Sequence, residues 1–226
     1  MQPKHLFLII FIMICFGSVY PLGKLGTSNI PPILFSALRV LIIFVGIFPF
    51  FKFKLPSKKL ILPLLTFSIT MGIGVYVTLY FALDITSLVS PIIIGTQLTV
   101  PFGLILSFIF LNEKISIKKC LLILFAFVGI IIVAYDPRIR DEWIALLIIS
   151  LMAFFYAIVN MLSRFLVEID AISQIGWHSL ICCVPLFIIS YMIEGNPIEI
   201  LFPMSFTTFF IILHASIIVS LIGHGS

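Results

Sequence analysis

Seven side chains in this sequence could do polar chemistry from inside apolar surroundings: Arg39, Gln97, His178, Asn160, Tyr80, Trp177 and Lys24. Each lies in or at the end of a long apolar run, where a polar group is costly unless it finds a partner. Arg39 comes seven residues after Pro32, about 10 Å into a helix starting there at 1.5 Å per residue. At that depth a guanidinium either faces a polar cavity, where its planar fork clamps a carboxylate, or snorkels to the headgroups on its long stem. His178 is either a cavity residue or a neutral imidazole hydrogen-bonded inside the bundle, and Gln174, His178 and Cys182 share one helix face. Gln97 sits beside Thr96 between Pro91 and Pro101. A proline frees a carbonyl and kinks a helix, which suits a cavity wall; the alternative for Gln97 is a bond between helices. Asn160 and Tyr80 are polar points within apolar spans, Lys24 stands at a cavity mouth, and Trp177 beside His178 fits a cavity wall.

This is the chemistry of recognition rather than of catalysis. The chain has no glycine-rich phosphate loop, no GxSxG and no HExxH. No catalytic residue, cofactor or metal is therefore expected, and without an ATP site any active transport must draw on a gradient. Cys15, Cys120, Cys182 and Cys183 fall in apolar runs without disulfide or CxxC spacing and read as small packing residues. No basic run is interleaved with aromatics, so a nucleic-acid partner is not expected.

The elements that must position these side chains are membrane helices. Only 10% of residues are charged while 62% are hydrophobic, against roughly 25% charged in a soluble domain, so lipid has to solvate most of the surface. Apolar runs long enough for a ~30 Å hydrocarbon layer occupy 5–23, 31–53, 60–83, 85–111, 118–135, 143–164, 171–193 and 205–223. They are continuously apolar rather than alternating, which excludes barrel strands and leaves helices. The expected fold is all-α and integral to the membrane, with about eight spans. Within the fourth span Gly95, Thr99, Gly103 and Ser107 recur every four residues and read as a packing ridge.

Placing the N-terminus in the cytoplasm puts Lys4, Lys52, Lys54, Lys58, Lys59, Lys114, Lys118, Lys119 and Arg164 inside, and only Lys24, Arg138 and Arg140 outside. The positive-inside bias favours that orientation, and eight crossings return the C-terminus to the cytoplasm. Span interiors hold no carboxylate, which leaves facilitation or exchange open beside proton-driven movement.

A shift of 139 positions lays 16–20 on 155–159 and 33–39 on 172–178, so that Arg39 falls on His178. Five spans precede the repeat, and an odd-numbered unit, when duplicated, inserts with opposite orientation. Such inverted halves bracket a central site in many transporters. The division expected is 1–137, a first repeat of five helices, and 138–226, a second and incomplete repeat of three.

Several motifs carry a family resemblance. They are Phe16-Gly17-Ser18-Val19-Tyr20-Pro21-Leu22-Gly23-Lys24, Pro31-Pro32 running on to Arg39, Phe110-Leu111-Asn112-Glu113-Lys114, and Gly129. With them the chain resembles the EamA-like transporter family of the drug/metabolite transporter superfamily, most closely its amino-acid-metabolite exporters. The resemblance implies ten helices in two inverted halves of five around a central substrate cavity. Phe16 stands where the family usually has tryptophan, and the last two helices of that pattern are missing, as in a C-terminally truncated chain. It further implies a small-molecule substrate, an amino acid or derivative, moved by alternating access in the cell (inner) membrane, with a homodimer left open. The alternatives are a truncated, non-transporting remnant and a membrane-embedded lipid-modifying enzyme.

Overall fold

The computed structural model describes residues 3–111, 116–137, 139–202 and 204–217, and not the side chains of 3–9, 11–12, 134 and 140. The Asn112-Glu113-Lys114 motif, Arg138 and the last nine residues lie outside the described residues.

The described residues form helices and turns, with no strand among them. In chain order the α-helices are α1 (Pro3–Thr27), α2 (Pro32–Ile47), α3 (Lys58–Ile69), α4 (Thr78–Ile85), α5 (Val89–Thr96), α6 (Thr99–Leu111), α7 (Ile117–Ala134), α8 (Trp143–Ser163), α9 (Ala171–Glu194), α10 (Pro197–Leu201) and α11 (Phe206–Leu213). A π-helical segment, Thr70–Val77, joins α3 to α4. Lys58–Ile85, Val89–Leu111, Trp143–Ser163 and Ala171–Glu194 are long and apolar enough to cross a membrane, and Pro32–Ile47 and Phe206–Ile217 are shorter apolar helices. Large apolar side chains such as Ile117, Met192 and Phe202 are more than three-quarters exposed, as lipid-facing residues are. The protein is an all-α membrane protein.

Three local departures from the expected spans have backbone causes. The second span stops at Ile47 rather than reaching Phe53, because Pro49 brings no N–H to extend the ladder; the chain turns there, with Phe50 N bonding Ile47 O at 2.9 Å. The fourth span breaks at Gln97–Leu98: Pro101 cannot donate to the Gln97 carbonyl, which accepts from Val100 N at 3.1 Å instead. Pro197 opens the unforeseen helix α10, and Asn196 caps it through Ile198 N.

The chain divides into two compact units, residues 1–55 with 169–226, and residues 56–168. In the first, α2 packs against α9, α11 packs on α1 and α2, and α10 packs on α9. In the second, α8 is central and packs against α3, the π segment, α4, α5 and α6. Its buried residues include Ala145, Ile149, Ala153 and Ala157. Gly74 and Gly95 allow this approach: a Cβ on Gly74 would lie 2.8 Å from the Phe155 ring, and one on Gly95 2.5 Å from Ile149 Cγ2.

Candidate functional site

The first unit is organised on the pair α2 and α9. The buried residues Ser173, Gly176, Ser179, Cys182, Leu186 and Ser190 line one face of α9, most of them small. Small residues let helix backbones come close in a membrane. On α2, Ser36, Val40, Ile43 and Ile47 are buried, and Phe51 continues the stripe beyond the helix. Contacts at both ends fix direction and register. The Ile33 and Leu34 amides donate to Glu194 Oε1 and Oε2 at 2.7 and 2.8 Å. At the other end, the Phe51 ring lies where a Cβ on Gly176 would be 2.4 Å from it. From Ile33 to Phe51 is eighteen residues forward, and from Glu194 to Gly176 eighteen back. The helices therefore run antiparallel.

Arg39 and His178 each stand seven residues past the first residue of their helices, Pro32 and Ala171. Both are buried, at 2% and 3% exposure. In the antiparallel register they sit at opposite ends of the contact, about 15 Å apart along the axis for ten residues at 1.5 Å each.

Both ends of the pair are closed. At α2, Pro31 and Pro32 leave Ile33 and Leu34 as the first free amide donors, and Glu194 accepts from both while taking a further bond from Ser190 Oγ at 2.9 Å. Its negative charge also meets the positive end of the helix dipole. At the start of α9, Asp170 accepts from Ser173 N at 2.9 Å and Ser173 Oγ at 2.8 Å. These bonds hold its carboxyl below the ordinary value. Trp177 lies edge-on to Phe51, ring centres 5.4 Å apart, and its Nε1 donates to Lys54 O at 3.4 Å.

The flank of this unit holds a residue that sequence reasoning passed over. The span after α11 continues as a π-helical turn over 214–217, and His214 Nε2 lies 3.4 Å from Ser18 Oγ on α1. Ser18 Oγ itself donates to Cys15 O at 2.7 Å. An ionisable residue inside an apolar run is a functional candidate by default. That criterion selects His178 and selects His214 equally. Lys24 is half-buried in the last turn of α1.

Tyr80, Gln97 and Asn160 belong to the other unit. Tyr80 is fully buried on α4. Gln97 is exposed at the break between α5 and α6, and Asn160 is exposed near the end of α8. The break also interrupts the expected small-residue ridge: Gly95 meets Ile149, whereas a Cβ on Gly103 would meet nothing within 4 Å. The π segment is braced by Thr78, whose hydroxyl bonds Gly74 O and Val75 O. Glu142, at the start of α8, accepts from both the amide and the hydroxyl of Ser87, just ahead of α5.

Residues 3–135 match the model of the EamA-like transporter family. The chain is 22% identical over 234 residues to a probable amino-acid metabolite efflux pump of Salmonella typhimurium, covering all of this chain and 77% of that protein. Against the protein of the same description in Escherichia coli the identity is 22% over 235 residues, with the same coverage. An uncharacterized transporter of Bacillus subtilis is 25% identical over 200 residues, covering 84% of this chain and 67% of the relative. No solved structure matches the chain.

Proposed function

The chain belongs to the EamA-like transporter family, and from that premise we propose that this membrane transporter of small metabolites carries an amino acid or a derivative by alternating access, without ATP. The observation that carries the reading is the burial of Arg39 at 2% exposure on an apolar helix. A central arginine costs about 2.5–3.5 kcal/mol on translocon scales and marks a functional site by default, and a carboxylate is the group a guanidinium fork fits. The names of the Salmonella and Escherichia relatives, amino-acid metabolite efflux pumps, support the cargo class.

Two inverted halves, 1–137 and 138–226, are part of the proposal, with Arg39 and His178 in equivalent places. Three features support it. The family match ends at residue 135. The antiparallel course of α2 and α9 suits helices related by an axis in the membrane plane. The 139-residue shift also lays the π-helical turn at 214–217 on residues 75–78, overlapping the π segment of the first half. Such wide turns are rare and cluster at functional sites, so their recurrence at equivalent positions favours duplication. Gln97, Asn160, Tyr80, Trp177 and Lys24 are the further substrate-contact candidates of this reading, which places the protein in the cell (inner) membrane with both termini cytoplasmic.

Metabolite profiling of the medium of cells producing the protein tests the function. One or a few amino acids or derivatives should accumulate outside, and Arg39→Leu should abolish the rise while reaching the membrane in equal amount. An unchanged profile from well-inserted protein would favour the non-transporting alternative, and an altered lipid composition would favour the lipid-modifying one.

A further inference from the structure

The neighbourhood of His214 can be built from contacts inside the first unit. A Cβ on Gly26 would meet Phe35 Cε2 at 2.3 Å and Ile211 Cγ2 at 3.2 Å, so α1, α2 and α11 converge there. From that point α1 runs back to Ser18 while α11 runs forward to His214, and these two side chains meet again. Helix α11 is therefore antiparallel to α1 and parallel to α2, which folds back on α1 through the short Ser28–Pro31 turn. One turn beyond Phe35 on its own face is Arg39. About one turn beyond Ile211 is His214. At 1.5 Å per residue Arg39 lies about 6 Å beyond Phe35 and His214 about 4.5 Å beyond Ile211 on parallel helices, a similar height, and Ser18 reaches His214 from α1.

The hydrogen bonds fix where a proton can go. Ser18 commits its hydroxyl proton to Cys15 O, so its oxygen accepts from His214, and the imidazole proton resides on Nε2. Nδ1 then carries the free lone pair. It is buried and has no hydrogen-bond partner among the described residues. The charged and titratable side chains on the helices packed against α11 are Cys15, Tyr20 and Lys24 on α1 and Arg39 on α2, among the described side chains. None of them is a carboxylate, so among the described side chains no acidic group faces the imidazole from these helices.

Helix packing does not demand this polar pair. The 139-residue shift carries Ser18 to Ala157 and His214 to Val75, and those positions in the other unit are apolar and buried. We propose that Arg39, His214 and Ser18 form a proton-linked carboxylate site, in which a substrate carboxylate pairs with Arg39 and Nδ1 of His214 takes up one proton from water as the anion binds. The carboxylate stays ionised and nothing is oxidised or reduced; one anion and one proton enter together, so the net charge of the site is unchanged. Each ligand then tightens the other by the same factor. The site supplies the ion coupling for which the span interiors offer no carboxylate, and it rests on the reading of the chain as a carrier of carboxylated metabolites.

The test is histidine NMR on the full chain in lipid nanodiscs, with the His214 signal identified by its loss in His214→Gln and acetate as the probe. Without acetate the neutral ring should carry its proton on Nε2, and Ser18→Ala should shift that proton toward Nδ1. Saturating acetate should tighten proton binding at His214 about tenfold, one unit on the pH scale, and chloride at equal ionic strength should not. Arg39→Gln should tighten proton binding without acetate and abolish the acetate effect, while Arg39→Lys should keep the empty-site behaviour. No response to acetate, an equal response to chloride, or an unchanged titration in Arg39→Gln would overturn the proposal. A failure of the transport reading would appear instead in the extracellular metabolite profile, whatever His214 does.

Discussion

Glu194 and Ile33 are 161 residues apart in the chain, yet the Ile33 amide donates to the Glu194 carboxylate at 2.7 Å. The cap of α2 thus comes from the far end of α9, and the same carboxylate that satisfies two orphan amides also helps set the register of the two helices.

Removing that cap should loosen the pair. Glu194→Ala should destabilise the protein by about 1 kcal/mol, the usual cost of a lost N-cap, lowering the melting temperature in detergent by a few degrees. Glu194→Gln keeps one good acceptor and should lose less. Equal melting curves for all three proteins would mean that the cap contributes nothing.

Crowding at the opposite end should act on the same interface. Gly176→Leu has no room beside Phe51, where even a Cβ would be 2.4 Å from the ring, and should cost about 1–3 kcal/mol, as overpacked cores do. Phe51→Ala in the same chain should recover part of the loss, a coupling that a double-mutant cycle measures directly.

Orientation is open to chemical labelling. In a cysteine-free background, a membrane-impermeant thiol reagent added outside whole cells should modify a cysteine at Arg138 and spare one at Lys58. The reverse pattern would invert the topology and the placing of both halves.

The function of Arg39 separates charge from geometry. Arg39→Lys keeps the charge but loses the planar fork, so on the proposed carboxylate reading transport should fall partly; Arg39→Leu should abolish it without lowering the amount of inserted protein. Normal export by Arg39→Leu would shift the search for the site to Gln97, Asn160 and His178.

Acid should weaken the start of α9. The bonds from Ser173 to Asp170 depress its carboxyl below the ordinary 3.8. Their contribution is therefore present above that value and is lost as pH falls through the lower, folded-state value. Asp170→Asn should flatten the acid limb of a stability–pH curve and leave the neutral region little changed.

The helices were legible because a continuous apolar run in lipid has few other options, and the ends misjudged were those where Pro49 and Pro101 remove a donor from the ladder. The caps were not legible. Glu194 reads as one more loop acid until α2 is known to lie beside it, and the same holds for Glu142 and Ser87. The small-residue ridge holds only in part, with Gly95 and Ser107 buried and Gly103 facing open space, for a related reason: a four-residue period marks one face only while the helix is continuous, and the break at Gln97–Leu98 parts Gly95 from Gly103. His214 was visible by the rule that picked out His178. What the sequence could not supply was Ser18 across from it, since that neighbour depends on which helix α11 packs against.

The discontinuous make-up of the first unit has a consequence for synthesis. Residues 56–168 form one uninterrupted unit, so their helices can assemble as they leave the ribosome. Helices α1 and α2 emerge earlier but must wait for α9 and α11, a delay on the order of ten seconds at elongation rates of about 5–20 residues per second. Through that interval the Arg39 guanidinium and the bare amides of Ile33 and Leu34 have neither α9 nor Glu194 beside them. The nascent chain is then exposed to chaperones, quality-control proteases and wrong helix partners at the stage when that guanidinium and those amides are least protected.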